Sequence, residues 1–350
     1  MLKKKKIKFS EIIINWYIKN KRKLPWRKTK DPYKIWLSEI ILQQTRISQG
    51  TPYYLNFIEK YPTIENLATE KEINILKIWQ GLGYYSRAIN MHKTAKFIFN
   101  EKKNIFPKKY NDLIKLKGVG PYTAAAISSI CFDEKRAVLD GNVFRILSRY
   151  FKINDPINSN LGIKKFTKLS NKLVSESEPG NYNQGMMDLG STICKPKNPL
   201  CNLCPLNKSC KSKKEEKFNL PNKLKLKKNK TRYLVYLIVK HYGKYYVKKR
   251  LSNDIWRNLY DFPLIEFKNS NENNDKNILI KLKNMLKNKD IMINQKVNIN
   301  YKLTHQNLNI SFVTLIGNIV FKSKKFEIVS KNKLMSLPVP KPIENFIGKI

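Results

Sequence analysis

Apolar residues return at helical spacing through the first two hundred positions of the chain. Phe9, Ile12, Ile13, Trp16 and Tyr17 fall on one helical face. Trp36, Leu37, Ile40 and Ile41 form a second stripe within residues 36–45, which hold no breaker. An alanine-rich run over 122–130 and an amphipathic stretch over 161–174 predict two more helices. Pro62, Gly81, Pro107, Gly118 and Pro179 stand between such segments. Beyond residue 230 the period changes. Residues 233–239 and 245–247 are strand-like and meet through Tyr242, Gly243 and Lys244. Residues 309–315 alternate, and Gly317 with Asn318 can turn the chain into a strand over 319–321. Ile278, Leu282, Met285 and Leu286 mark one helix between them, beside an Asn/Lys-rich surface loop over 269–276. The pattern predicts a mainly α N-terminal domain over 1–210, a linker over 211–230 and an α+β domain over 231–350. No internal repeat is evident.

Composition narrows the class. Of 350 residues, 41% are hydrophobic and 11% aromatic, enough for packed cores and too many for a disordered tail. Lys and Arg number 69 against 26 acids, a net charge of +43. Such a surface attracts a polyanion, nucleic acid first and an anionic membrane second. Asn, Ile and Lys are used heavily throughout, as in chains from AT-rich genomes. Coding bias therefore accounts for part of the charge, and charge alone does not name the partner. No apolar run approaches the ~20 residues that span a bilayer. The short run at 12–14, after the basic Lys3 to Lys6, is too small for a signal-peptide core. A cytoplasmic protein is expected. The linker carries nine lysines against two glutamates and reads as an exposed tether, with phosphate contact as its second role.

Four groups carry candidate chemistry. Cys194, Cys201, Cys204 and Cys210 place four thiols within seventeen residues. Thiolates at that density select zinc or an iron–sulfur cluster. Zinc ribbons use two short Cys pairs and a longer spacer. Here only one pair is Cys-x-x-Cys, a spread that suits a larger cluster better. Cys131 lies alone in an apolar stretch and reads as core. Gly118-Val119-Gly120 precedes a helix. Glycine lets backbone approach a phosphate, and a helix start offers N–H groups, so this fits a helix–hairpin–helix pattern for gripping DNA; a plain helix–turn–helix connection, which also wants glycine, is the alternative. Glu39 on a helix neighbours Ile35, Trp36, Leu42 and Gln43, a setting that strips hydration and raises its pKa. That suits a general acid; a glutamate at a core edge is the plain alternative. Asp140 stands at a helix start, where it is an ordinary N-cap or a carboxylate kept ionised. A protonated Glu39 and an ionised Asp140 are the pair that breaks a glycosidic bond.

Six segments combine these features in order. They are Leu24-Pro25-Trp26-Arg27; Trp36-Leu37-Ser38-Glu39-Ile40-Ile41-Leu42-Gln43-Gln44-Thr45; Gly81-Leu82-Gly83-Tyr84-Tyr85-Ser86-Arg87-Ala88; Gly118-Val119-Gly120-Pro121-Tyr122-Thr123-Ala124-Ala125; Leu139-Asp140-Gly141-Asn142-Val143; and Asn183-Gln184-Gly185-Met186-Met187-Asp188-Leu189-Gly190. With the four-cysteine spacing, they resemble the adenine DNA glycosylases (MutY-type) of the endonuclease-III-like superfamily, densely over residues 9–210. The resemblance implies a helix–hairpin–helix glycosylase domain, with a six-helix barrel lobe and an iron–sulfur lobe, and a Nudix-like α+β C-terminal domain. It implies one 4Fe–4S cluster on the four cysteines and a monovalent or divalent cation at the hairpin. The implied substrate is duplex DNA with adenine opposite 8-oxoguanine or guanine, and the implied enzyme is a monomer of base excision repair. Adenine leaves the stack, is cut from its sugar and leaves an abasic site.

Roles follow the same resemblance. The residue matching Glu39 protonates the adenine imidazole nitrogen. Asp140 stabilises the sugar cation, with Tyr122 and Asn142 in support. Tyr84 wedges into the duplex beside 8-oxoguanine, and Gln44 and Thr45 lie near the bases opposite the pocket. Trp26, Arg27, Leu42, Gly118, Gly120 and Gln184 complete the base and DNA contacts. Bifunctional relatives carry lysine at the position of Tyr122 and form a Schiff base, so tyrosine implies a monofunctional enzyme. The C-terminal match is fainter. Residues 254–263 fit the early Nudix-like signature, but Glu272 and Asp275 do not make the acidic run that a pyrophosphatase needs. The family often shows Phe-Ser-His in its lesion-recognition loop; here it reads Leu303-Thr304-His305. Thr304 keeps a hydroxyl for the lesion base, and Leu303 loses an aromatic contact. Two rivals remain: an endonuclease-III-like glycosylase/lyase on damaged pyrimidines, and a non-catalytic iron–sulfur DNA-binding protein.

Overall fold

The computed structural model describes residues 8–216, 218–225, 229–287, 291–317, 319–323 and 325–349. The basic N-terminal run, residues 217 and 226–228 of the linker, and Asn318 of the expected turn lie outside the described residues. The chain divides into two compact units. One is Met1–Thr69 with Asn90–Leu226; the other is Glu70–Ile89 with Lys227–Ile350.

The first unit is helical. Helix Pro32–Leu42 begins where Asp31 accepts a hydrogen bond from the Tyr33 N–H, with proline at its first position. It stops at Leu42, three residues short of the expected end, because Gln44 adopts a left-handed φ of 55°. Helix Pro121–Phe132 packs on it, and Ala124, Ala125 and Ala126 are almost fully buried, so the two backbones come close. The residue after Phe132, Asp133, takes a φ of 52° and ends the helix. Helix Phe9–Asn20 packs on Pro179–Thr192. The contact needs Gly185, where an added Cβ would stand 2.8 Å from Ile13 Cγ2. Asp140 caps Gly141–Phe151, and Ser159 caps Asn160–Leu173 through the Gly162 N–H. Among the described residues, no helix is long and apolar enough to cross a membrane.

Among the described residues, the second unit is built on a seven-stranded mixed sheet. Its strands are β1 (Lys230–His241), β2 (Lys244–Lys249), β3 (Tyr260–Asp261), β4 (Leu264–Phe267), β5 (Met292–Lys302), β6 (Gln306–Ile316) and β7 (Glu327–Val329). β1 runs parallel to β6, from Lys230 opposite Gln306 to Val239 opposite Leu315. It pairs antiparallel with β2 and β4, while β5 closes the far edge against β6. The turn from β1 to β2 holds Tyr242 and Gly243 at φ 49° and 75°, the hairpin geometry that matches strand twist. Leu234, Tyr236 and Ile238 point into one core with Phe312 and Phe346. Val235, Leu237 and Val239 point into the other with Ile278 and Leu282 of helix Asp275–Met285. Covering on both faces is why residues 233–239 read as an unbroken apolar run.

Two further local expectations change, and one strand carried no expectation. Residues 319–321 make no strand; Phe321 forms only an isolated bridge to Leu286. Asp275 already belongs to the helix, which starts inside the expected surface loop because Asn274 caps it through the Asn277 N–H. β5 went unseen because it is a half-exposed edge strand rich in Asn and Lys, so it shows no apolar alternation.

Candidate active site

In the first unit, five segments converge on a cavity of about 630 Å³. Helix Pro32–Leu42 contributes Glu39 and Leu42, and the chain leaving it contributes Gln44 and Thr45. Trp26 and Arg27 come from the 3-10 turn Pro25–Lys28. Gly120 and Tyr122 come from the start of Pro121–Phe132, Asp140 and Asn142 from the start of Gly141–Phe151, and Gln184 from Pro179–Thr192. Eleven positions singled out from sequence therefore line one space.

The two carboxyls sit in opposite settings. Glu39 is only 8% exposed. Burial pushes its pKa from 4.5 up to about 7; the nearby Asp140 charge pushes the same way, while a hydrogen bond from Tyr122 and the Arg27 guanidinium oppose it. Asp140 is half-buried and accepts three hydrogen bonds. Its Oδ1 takes the N–H groups of Asn142 at 2.9 Å and Val143 at 2.8 Å, and its Oδ2 takes Asn142 Nδ2 at 2.8 Å. These donors and the helix start complement a negative charge. The Tyr122 phenol is pushed well above its ordinary value by burial and by the Glu39 carboxylate. Its hydroxyl also lies 2.9 Å from Met187 Sδ.

Several long-range contacts that hold the site are not encoded in local sequence. Asp188 is fully buried and binds two arginines: Arg27 through Nη1 and Nη2 and Arg22 through Nε at 2.6 Å. Burial disfavours its charge, yet the two guanidiniums hold its carboxyl below the usual range. Arg27 thus stands fixed near Glu39 by a partner 161 residues away. Tyr17 donates to Gln184 Oε1 at 2.9 Å. Arg145 is buried and ties two regions together. Its Nη2 donates to Asn142 Oδ1 at 2.9 Å and Gly190 O at 2.6 Å, and its Nε to Cys194 O at 2.6 Å.

The hairpin is built around Gly118, whose φ of 81° is left-handed. A Cβ there would meet Asn90 Cβ at 3.0 Å. Thr94 Oγ1 donates to Lys117 O at 2.9 Å, and Gln43 Nε2 reaches Gly118 O at 3.4 Å and Thr123 Oγ1 at 3.2 Å. Gly118 itself does not line the cavity.

The four cysteines line a separate small cavity in the same unit, with Arg149 and Phe218 on its wall. Burial pushes the Cys204 thiol up to about 12 and raises Cys201 and Cys210, so a bound cation is what would make them thiolates. Arg149 Nη1 lies 3.5 Å from Cys194 Sγ. Among the described residues, no three His, Cys, Asp or Glu side chains are placed to hold a single metal ion. An all-thiol set spread around one cavity fits a multi-iron cluster, whose thiolates bind different metal atoms.

Tyr84, Thr304 and His305 belong to the second unit. Tyr84 is 38% exposed with a φ of 48°. Thr304 and His305 are exposed in the short turn between β5 and β6, where Leu303 N–H donates to Gln306 O at 2.9 Å.

Fold and site together define a base excision DNA repair protein of the helix–hairpin–helix class. Residues 37–172 match the HhH-GPD superfamily of base excision DNA repair proteins, and residues 234–349 match the NUDIX domain. The chain is 37% identical over 354 residues to adenine DNA glycosylase of Buchnera aphidicola subsp. Schizaphis graminum, with 97% of each chain covered. It is 38% identical over 344 residues to adenine DNA glycosylase of Buchnera aphidicola subsp. Baizongia pistaciae, covering 91% of this chain and 97% of that one. A solved thermostable thymine-DNA glycosylase is 30% identical, with a TM-score of 0.55 over 59% of this chain and 95% of its own. The chain belongs to the adenine DNA glycosylase family.

Proposed function

We propose that this enzyme removes adenine from duplex DNA where it lies opposite 8-oxoguanine or guanine, as a monofunctional glycosylase that leaves an abasic site. The flipped adenine enters the cavity between Glu39 and Asp140. Protonated Glu39 gives its proton to the imidazole nitrogen of adenine, which makes the base a neutral leaving group. Asp140, held by Asn142, faces the positive charge that develops on the sugar as the glycosidic bond breaks. Tyr122 stands by Glu39 as a hydrogen-bond donor. Water then adds to the sugar carbon, and its proton returns to the Glu39 carboxylate. Trp26, Arg27, Leu42 and Gln184 shape the pocket for the base. Gly118 and Gly120 present backbone N–H groups to the phosphates. Gln44, Thr45, Tyr84, Thr304 and His305 read the opposite strand.

One observation carries this reading. Two carboxyls line one cavity, one pushed by burial to about 7 and the other bound by three donors, which is the division of labour that glycosidic cleavage needs. The same proposal includes a glycosylase domain over 1–210, a basic linker over 211–230 and a lesion-recognition domain over 231–350 as the division of function, although residues 70–89 fold with the second unit and the first unit extends to Leu226. It includes a 4Fe–4S cluster on Cys194, Cys201, Cys204 and Cys210, which when bound cross-links the 194–210 loop. A cation at the hairpin, a monomeric state and a cytoplasmic, nucleoid-associated location complete it.

Single-turnover reactions on three duplexes test the proposal: A opposite 8-oxoguanine, A opposite G, and thymine glycol opposite A. Adenine should be released from the first two, with intact strands until alkali is added. Release from the third, or a borohydride-trapped covalent complex lost in Lys117→Ala, would favour a glycosylase/lyase on damaged pyrimidines.

A further inference from the structure

Residues 70–89 fold with the second unit, and Tyr84 is among them. Helix Glu72–Ile78 leads into a loop in which Gly81, Gly83 and Tyr84 all have positive φ, at 100°, 71° and 48°. The loop is braced from inside. Trp79 Nε1 donates to Gly83 O at 3.0 Å, and Arg87 Nη2 donates to Leu82 O at 3.3 Å and Gly83 O at 3.2 Å. The Arg87 guanidinium lies 5.0 Å from the Trp79 ring centre and 5.9 Å from that of Tyr84.

The base of the loop is anchored on a C-terminal strap, residues 335–339. Lys77 Nζ donates to Met335 O at 2.6 Å, Leu337 O at 3.2 Å and Gln80 Oε1 at 3.3 Å. Gln80 Oε1 also accepts the Val339 N–H at 3.3 Å. On the other side of the loop, Tyr85 OH donates to Val339 O at 3.5 Å and accepts the Gly81 N–H at 3.3 Å. Both backbone groups of Val339 are therefore taken by side chains that flank the Tyr84 loop. The strap itself is firmly set. Leu337 and Val339 are each 2% exposed in the core that Ile73 also packs against, and Pro338 O accepts the Tyr260 N–H at 2.9 Å. Asn258 Nδ2 adds a further tie to Glu72 Oε1 at 2.8 Å.

We propose that this strap positions Tyr84, and that Lys77, Gln80 and Tyr85 are positioning residues through which the Nudix-like domain sets the wedge. A side chain that enters one base step must start from a fixed backbone. Left-handed φ at a tyrosine persists only where its surroundings over-determine it. The strap supplies that constraint from the second unit's core. Lesion reading by the C-terminal domain then has two routes: the 303–305 turn, and the placement of Tyr84. This inference rests on Tyr84 being the wedge beside 8-oxoguanine.

The test uses the full-length enzyme and the ratio of single-turnover adenine release from A:8-oxoguanine to that from A:G. Lys77→Met and Gln80→Leu should each lower the ratio by about tenfold, the scale of coupling between residues in contact. Gln80→Glu keeps an acceptor for both Lys77 and Val339 and should keep the ratio. In a Tyr84→Ala background, Gln80→Leu should add no further loss. Should Gln80→Leu fail to fold, Lys77→Met carries the same test. A merely structural role would lower both rates together and leave the ratio unchanged. A lowered ratio in Tyr84→Ala with an unchanged ratio in Lys77→Met and Gln80→Leu would overturn this proposal alone. An unchanged ratio in Tyr84→Ala would overturn the wedge reading and this proposal with it.

Discussion

A carboxyl that holds a proton near neutral pH needs a dry setting, and Glu39 has one. Its helical neighbours were legible in sequence, because residues three and four apart on a helix meet regardless of tertiary context. The pairing of Arg27 with Asp188 was not. It depends on folding that joins positions 161 apart, and no local pattern encodes it. The raised pKa has two consequences of definite sign. As a general acid, Glu39 must be protonated, so adenine release should be steady below about 7 and fall as pH rises through that value. For stability, the folded state binds this proton more tightly than the unfolded chain, so folding weakens as pH rises from about 4.5 to about 7. Glu39→Gln removes that penalty. Its stability relative to the wild type should improve across that window by up to about 3 kcal/mol, then level off. Urea unfolding at pH 4.5, 6 and 8 measures it, and a difference independent of pH would contradict the assignment.

At the scale of elements, the strongest signals were helices with one buried face and a strand buried on both. Helices Phe9–Asn20 and Asn160–Leu173 and the central strand β1 followed their apolar patterns. Strand β5 and helices Lys331–Ser336 and Lys341–Ile347 did not announce themselves. An edge strand has little apolar face, and helices of one or two turns are too short to show a period. The hairpin glycines illustrate how alike two residues look in sequence and how differently they act. Gly118 has a φ of 81° and a neighbour at 3.0 Å from any added Cβ, while Gly120 has a φ of −90° and nothing within 4 Å. Gly118→Ala should cost roughly 1–2 kcal/mol from the left-handed backbone. Gly120→Ala should cost well under that in the same urea titration. Equal losses would show that the turn does not depend on Gly118.

At the scale of the molecule, the +43 charge was the least specific feature of the sequence. Family membership identifies DNA as the polyanion that such a charge suits. The reading of bases falls to few residues, and the structure sorts them. Those proposed to shape the adenine pocket line a cavity in the first unit, where Gln44 and Thr45 also stand; Tyr84, Thr304 and His305 lie in the second. Sequence order hides this division, because residues 70–89 sit inside the helical stretch yet fold with the C-terminal sheet. Arg145 links a residue of the thiol cavity to one of the candidate site, because its donors reach Cys194 O and Asn142 Oδ1. The central claim is that Glu39 is the acid that frees adenine. Single-turnover release from A:8-oxoguanine by Glu39→Gln, run beside duplex binding, tests it most directly. Abolished release with wild-type binding is the predicted result. Release near the wild-type rate, or loss of binding along with release, would contradict it.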